Sequence, residues 1–129
     1  MARILVVDDE PVNLKLAVYI LRNAGHDAMG ASGGVQAIEL ALAQLPELVL
    51  MDIQMPGMDG IATLHQLRAD PRAAAIKVAA YTGLTTAGNA GRLIAEGFDG
   101  FLAKPIHRKD FLDSVAGLLA SDRPGANPR

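Results

Sequence analysis

Five side chains could do chemistry together if the fold gathers them. Asp8 and Asp9 follow the aliphatic run at residues 4–7, Asp52 follows Leu48-Val49-Leu50-Met51, Thr82 closes the run at 76–81, and Lys104 closes the run at 98–103. If those runs are neighbouring strands, three carboxylates, a hydroxyl and an ammonium converge on one edge of a sheet. Carboxylates a few ångströms apart repel, so each must raise its neighbour's pKa or gain a cation. A cluster of hard oxygen ligands with room for water suits Mg²⁺, and Lys104 can offset part of the remaining charge. A carboxylate held beside Mg²⁺ can attack phosphorus. The metal and the lysine then neutralise the phosphoryl oxygens, and the threonine donates a hydrogen bond to one of them. Asp52 is the best candidate acceptor. It stands alone after a central run, and the loop that follows, residues 54–60, contains Pro56, Gly57 and Gly60, so its backbone can approach closely.

The elements that must position these groups are legible from apolar patterning. Residues 4–7 form a continuous aliphatic run, as expected of a strand buried on both faces. Pro11 suits a first helical turn, Leu14, Ala17, Val18 and Leu21 recur at helical spacing, and Gly25 supplies a stop. A weak second strand is expected at Asp27–Ala31, a helix at Gly34–Gln44 and a third strand at Leu48–Met51. Ile61, Leu64 and Leu67 mark a helix ending near Asp70-Pro71. A fourth strand is expected at 76–81, a poor helix at 83–97, a fifth strand at 98–103 and a last helix at 107–120. Five strands alternating with five helices imply an α/β fold: one doubly wound, five-stranded parallel sheet with helices on both faces. In such sheets the site lies at the carboxyl ends of the strands.

Composition narrows the class. The 129 residues are 50% hydrophobic and 20% charged, which fits one globular domain rather than a disordered chain. Cysteine is absent, which excludes a disulfide scaffold, cysteine-based zinc sites and thiol catalysis. The net charge is −2, so bulk charge points to neither nucleic acid nor a membrane surface. The first aliphatic run is too short for a signal-peptide core or a membrane span, and the expected location is cytoplasmic. The domain is expected over residues 1–120. Residues 121–129, with Pro124, Gly125 and Pro128, are expected to form a flexible tail.

Four motifs in order, each at a strand end, carry a resemblance. They are Asp8-Asp9, the stretch from Met51 through Asp52, Gln54, Pro56 and Asp59 to Gly60, Thr82 followed by the small Gly83, and Lys104-Pro105. The chain resembles the receiver domain, the phosphorylated module of two-component response regulators, over nearly all of residues 3–120. It is most similar to receivers of hybrid sensor kinases and of single-domain cell-cycle regulators. The resemblance implies the flavodoxin-like strand order 2-1-3-4-5. It implies that Asp52 is the phosphorylated residue and that Asp9 binds Mg²⁺ with Asp52 and the backbone carbonyl of Gln54. Asp8 would act mainly through bound water. Thr82 and Lys104 would contact the phosphoryl group, and Phe101 matches the family's aromatic switch position. It also implies a histidine kinase or histidine phosphotransfer protein as donor, a downstream protein partner, a face at residues 84–106 that shifts on phosphorylation, and phosphorylation-linked homodimerisation as an option. Such a domain is not an enzyme acting on foreign substrates, although it assists its own phosphorylation and dephosphorylation. No DNA-binding segment follows, so direct nucleic-acid binding is not expected of this chain.

Each residue also has a plainer explanation. An Asp pair after a strand is usually a turn or helix-capping feature, and Asp59 is expected to cap the third helix. Thr82 alone would be a β-branched strand residue, and Met51, Met55 and Met58 are better read as gap-filling side chains than as a metal cluster. His26, His65 and His107 are assigned no chemistry. Three rival functions stand beside the receiver. A haloacid-dehalogenase-type phosphatase needs a second acid two residues after its nucleophile, where this chain has Gln54. A flavin- or nucleotide-binding module needs Gly, Ser or Thr after the first strand, where this chain has three acids. A binding-only receiver would lack an acid or the lysine, and none is missing.

Overall fold

The computed structural model describes residues 2–83, 87–104 and 107–121, and for residues 82 and 87–90 the backbone alone. Its elements alternate in chain order: β1 (Arg3–Val7), α1 (Pro11–Asn23), β2 (Asp27–Ala31), α2 (Gly34–Gln44), β3 (Leu48–Met51), α3 (Gly60–Ala69), β4 (Lys77–Thr82), α4 (Ala87–Glu96), β5 (Gly100–Ala103) and α5 (Arg108–Ala120). The strands form one parallel sheet, as the apolar pattern predicts, in the order β2-β1-β3-β4-β5 that the family resemblance implies.

Side chains alternate across a strand with period two, and here both faces are apolar. Leu5, Val7, Val49, Met51, Val78 and Ala80 pack in one cluster with Ala37 and Ala41 of α2, Leu64 and Leu67 of α3 and Leu93 of α4. Ile4, Val6, Leu48, Leu50, Ala79 and Tyr81 pack in the other with Ala17, Ile20 and Leu21 of α1 and Phe111 and Val115 of α5. Every residue of β3 is therefore buried, which is why its sequence shows no polar alternation.

Helix ends obey local chemistry. Pro11 opens α1, but Glu10 is its cap, accepting from the Val12 amide at 3.4 Å. The Asp8-Asp9 pair is not the capping feature. Asp59 caps α3 as expected, accepting from the Ala62 amide at 2.8 Å. Lys77, at the start of β4, donates from its ammonium to the carbonyls of Leu118 and Ser121 at the C-terminal end of α5, where a cation complements the helix dipole.

One departure from the expected boundaries is at β5, which begins at Gly100 rather than at residue 98. Phe98 turns into the core, and Asp99 is used in a polar knot. Its carboxylate accepts from the Val78 amide at 2.8 Å and pairs with Arg68 of α3 at 2.8 Å. Arg68 also donates to the carbonyls of Ala74, Ile76 and Gly97. These bonds tie α3, β4 and the end of α4 together. The expected helix at 83–97 is observed as α4 from Ala87, with residues 84–86 outside the described residues. Of the tail expected at 121–129, only Ser121 lies within them. Among the described residues no helix is long and apolar enough to cross a membrane.

Candidate phosphoryl-acceptor and metal site

The sheet register builds the site. Val7 of β1 lies beside Met51 of β3, so the next residues, Asp8 and Asp52, leave the sheet side by side. The Asp52 amide donates to the Val7 carbonyl at 2.9 Å and the Asp8 amide to the Ala31 carbonyl at 3.1 Å. These bonds hold both backbones one residue past the strand ends. On the other side, Thr82 pairs with Ala103, which places Lys104 at the same edge.

Asp8 is fully buried, Asp52 is 5% exposed, and Asp9 is exposed. One carboxylate oxygen from each of the three lies within 4.8 Å of the others. The Lys104 ammonium reaches in between, 3.0 Å from Asp8 Oδ2 and 3.3 Å from Asp52 Oδ2. The remaining oxygens find amides: Asp8 Oδ1 accepts from Glu10 at 2.9 Å and Asp52 Oδ1 from Gln54 at 3.3 Å. Burial pushes the Asp52 carboxyl up from its ordinary 3.8 to about 6, with Lys104 opposing the shift and the Asp8 charge reinforcing it.

The donor set fits a hard divalent cation. Three carboxylates share one small volume against one ammonium, and Asp8 Oδ2, although beside Lys104, is buried without an aligned hydrogen-bond donor. Lys104 offsets only one of the three charges, so the cluster stays net negative, and oxygen ligands with access to water match Mg²⁺.

The structure thus brings Asp8, Asp9, Asp52 and Lys104 together. It places the Thr82 backbone at the same edge, while the Thr82 side chain lies outside the described residues. Phe101 is 42% exposed on β5. Gln54 is adjacent through its amide. Neither His26 nor His65 enters the cluster: His26 Nδ1 accepts from the Ala2 amide and His65 meets Glu96.

Two residues near the site have roles that the sequence reading did not assign to them. Gly60 is the first residue of α3, and a Cβ there would sit 2.2 Å from the Asp52 carbonyl oxygen and 2.8 Å from the Ile53 Cα. Only glycine lets the helix start so close behind the acceptor. Gly60→Ala is therefore expected to lower unfolding free energy by about 1–3 kcal/mol through backbone overpacking. A urea unfolding curve matching the parent's would contradict this. The second residue is Tyr81, whose ring lies under the Lys104 ammonium. The sequence shows an aromatic residue before Thr82, but its contact with Lys104 depends on the β4–β5 register.

With fold and site in place, comparison with known proteins settles the family. The chain belongs to the response regulator receiver domain family, whose model matches residues 4–116. The protein PilH of Pseudomonas aeruginosa is 33% identical over 120 residues, covering 93% of this chain and 99% of PilH. Sensor protein GacS of Pseudomonas syringae pv. syringae is 34% identical over 116 residues, covering 88% of this chain and spanning only 13% of GacS. A solved response regulator from Desulfuromonas acetoxidans superposes with a TM-score of 0.82 at 28% identity, covering 92% of this chain and 97% of that one. The chain is a receiver domain of two-component signalling.

Proposed function

We propose that this receiver is a phosphoryl-accepting switch with Asp52 as the acceptor. The observation that carries the reading is the buried Asp8–Lys104–Asp52 arrangement, with Asp9 at its open side. A phosphohistidine of a kinase or phosphotransfer protein is the donor. A carboxylate oxygen of Asp52 attacks phosphorus, the new P–O bond forms as the donor's P–N bond breaks, and the leaving imidazole takes a proton from solvent. Hydrolysis of the resulting acyl phosphate by water returns Asp52 and phosphate. The chain therefore assists both its own phosphorylation and its own dephosphorylation.

Lys104 is the fixed cation that faces the incoming phosphoryl oxygens, and Thr82, at the end of β4, supplies a hydrogen-bond donor. Asp9, Asp52 and the Gln54 carbonyl would hold Mg²⁺ directly and Asp8 through water. When bound, the metal neutralises charge on the phosphoryl oxygens. Thr82 and Phe101 form the switch: the half-exposed Phe101 ring turns inward as Thr82 engages the phosphoryl group. The face at residues 84–106 then changes its fit to a downstream protein, with homodimerisation one form that partner binding can take. Residues 1–120 are the working unit, and its setting is the cytoplasm.

Intact-mass measurement after incubation with acetyl phosphate tests the reading. The expected result is a gain of one phosphoryl group with Mg²⁺ and none with chelator. A gain independent of Mg²⁺ would refute the metal assignment. No gain from acetyl phosphate or from a phosphorylated histidine donor would favour a binding-only receiver.

A further inference from the structure

Lys104 is held by more than its two carboxylates. Its ammonium lies 4.8 Å from the centroid of the Tyr81 ring, within the range at which an aromatic face attracts a cation. Tyr81 is 1% exposed, lies in the α1/α5 core cluster and pairs across the sheet with Leu102, two residues before the lysine. Behind it stands the buried Phe111 ring of α5, with centroids 6.1 Å apart and planes inclined at 46°, a favourable aromatic geometry. The ring is thus fixed from behind by the core and faces the ammonium in front.

From this geometry we propose that Tyr81 is a positioning residue for Lys104. Its aromatic face holds the ammonium between Asp8 and Asp52 so that the lysine is already in place when the phosphoryl group arrives. A flexible four-carbon side chain loses considerable rotamer freedom when held in one place, and the ring face adds a third contact to those with the two carboxylates. A leucine at position 81 would fill core volume but offer no negative face. Burial, then the charges of Asp8 and Asp52, keeps the Tyr81 phenol well above its ordinary pKa, so the ring stays neutral throughout the working pH range. The same contact links the site to α5 through Phe111.

The inference rests on the reading of Lys104 as a phosphoryl contact, and the test separates the two. In ¹H–¹³C spectra of the metal-free, unphosphorylated chain, the Lys104 ε-methylene protons are expected upfield of those of the other lysines, identified by their loss in Lys104→Arg. Tyr81→Phe keeps that shift and the parent's rate of phosphoryl uptake from acetyl phosphate. Tyr81→Leu loses the shift and slows uptake by about tenfold, with Mg²⁺ affinity changed by less than about threefold. An ordinary ε-methylene shift in the parent overturns the proposal. So does a leucine variant as fast as the parent, or a phenylalanine variant as slow as the leucine one. If the leucine variant does not fold, the shift in the parent and in Tyr81→Phe decides. An upfield shift in a parent that takes up no phosphoryl would count against Asp52 as acceptor while upholding the hold of the ring on Lys104.

Discussion

Asp52→Asn is expected to make the metal-free protein more stable while ending its phosphoryl uptake. Asp52 is buried beside a second buried carboxylate, and its pKa stands near 6 against an ordinary 3.8. The folded state therefore holds the Asp52 proton more tightly than the unfolded chain does. That preference stabilises the fold fully below pH 3.8 and is lost as pH rises through about 6. At pH 7.5 the parent carries the ionised, costly form. Asparagine keeps the shape and removes the charge, so the variant should exceed the parent by about 2–3 kcal/mol at pH 7.5. The gap should close near pH 4. Saturating Mg²⁺ should narrow it at pH 7.5 by stabilising the parent through linkage. Urea unfolding at the two pH values, with and without Mg²⁺, checks each part. The same variant lacks the carboxylate nucleophile, so acetyl phosphate should add nothing to its mass. A less stable variant at pH 7.5 would contradict the electrostatic account of the site.

Arg68→Met should be the more damaging of the scaffold changes. The Arg68 and Asp99 side chains are 17% and 6% exposed, and the guanidinium also satisfies three backbone carbonyls. Removing the cation takes the ion-pair partner from a buried Asp99 carboxylate and one hydrogen-bond donor from each of those carbonyls. Breaking a buried pair in this way costs about 3–5 kcal/mol, which a shift in urea midpoint at constant slope would report. The exposed Lys109–Asp113 pair, one helical turn apart on α5, is the control: Lys109→Met should leave the unfolding curve where it is, because exposed pairs of this kind contribute little. Equal effects from the two substitutions would contradict the assignment of the Arg68 knot as the scaffold's fixed point.

Much of this arrangement was legible in the sequence because the relevant signals are local. The aliphatic runs that become β1 and β3 have no polar alternation, and that alone announces a sheet covered on both faces. The acids fall directly after those runs, so their convergence follows once the strands are parallel and in register. Asp27–Ala31, Gly34–Gln44 and Leu48–Met51 were readable to the residue because glycine or proline lies at or near their ends. What escaped depends on distant contacts. Nothing near Arg68 or Asp99 in sequence says that they meet 31 residues apart, and that meeting moves the start of β5 from residue 98 to Gly100. Gly60 looks like ordinary loop punctuation until the Asp52 carbonyl is seen behind it. Tyr81 looks like any strand aromatic until the β4–β5 register brings Lys104 over its face. The plainer capping role open to the Asp8-Asp9 pair is filled by Glu10, which leaves both aspartates available to the cluster.

The most direct test of the central claim is to locate the phosphoryl group chemically. An acyl phosphate on aspartate is reduced by borohydride to homoserine, which marks the residue permanently in a peptide map. After incubation of the parent chain with acetyl phosphate and Mg²⁺, homoserine should appear at position 52 and at neither position 8 nor position 9. Homoserine at Asp8 or Asp9, or a phosphorylated chain that yields none at position 52, would contradict Asp52 as the acceptor.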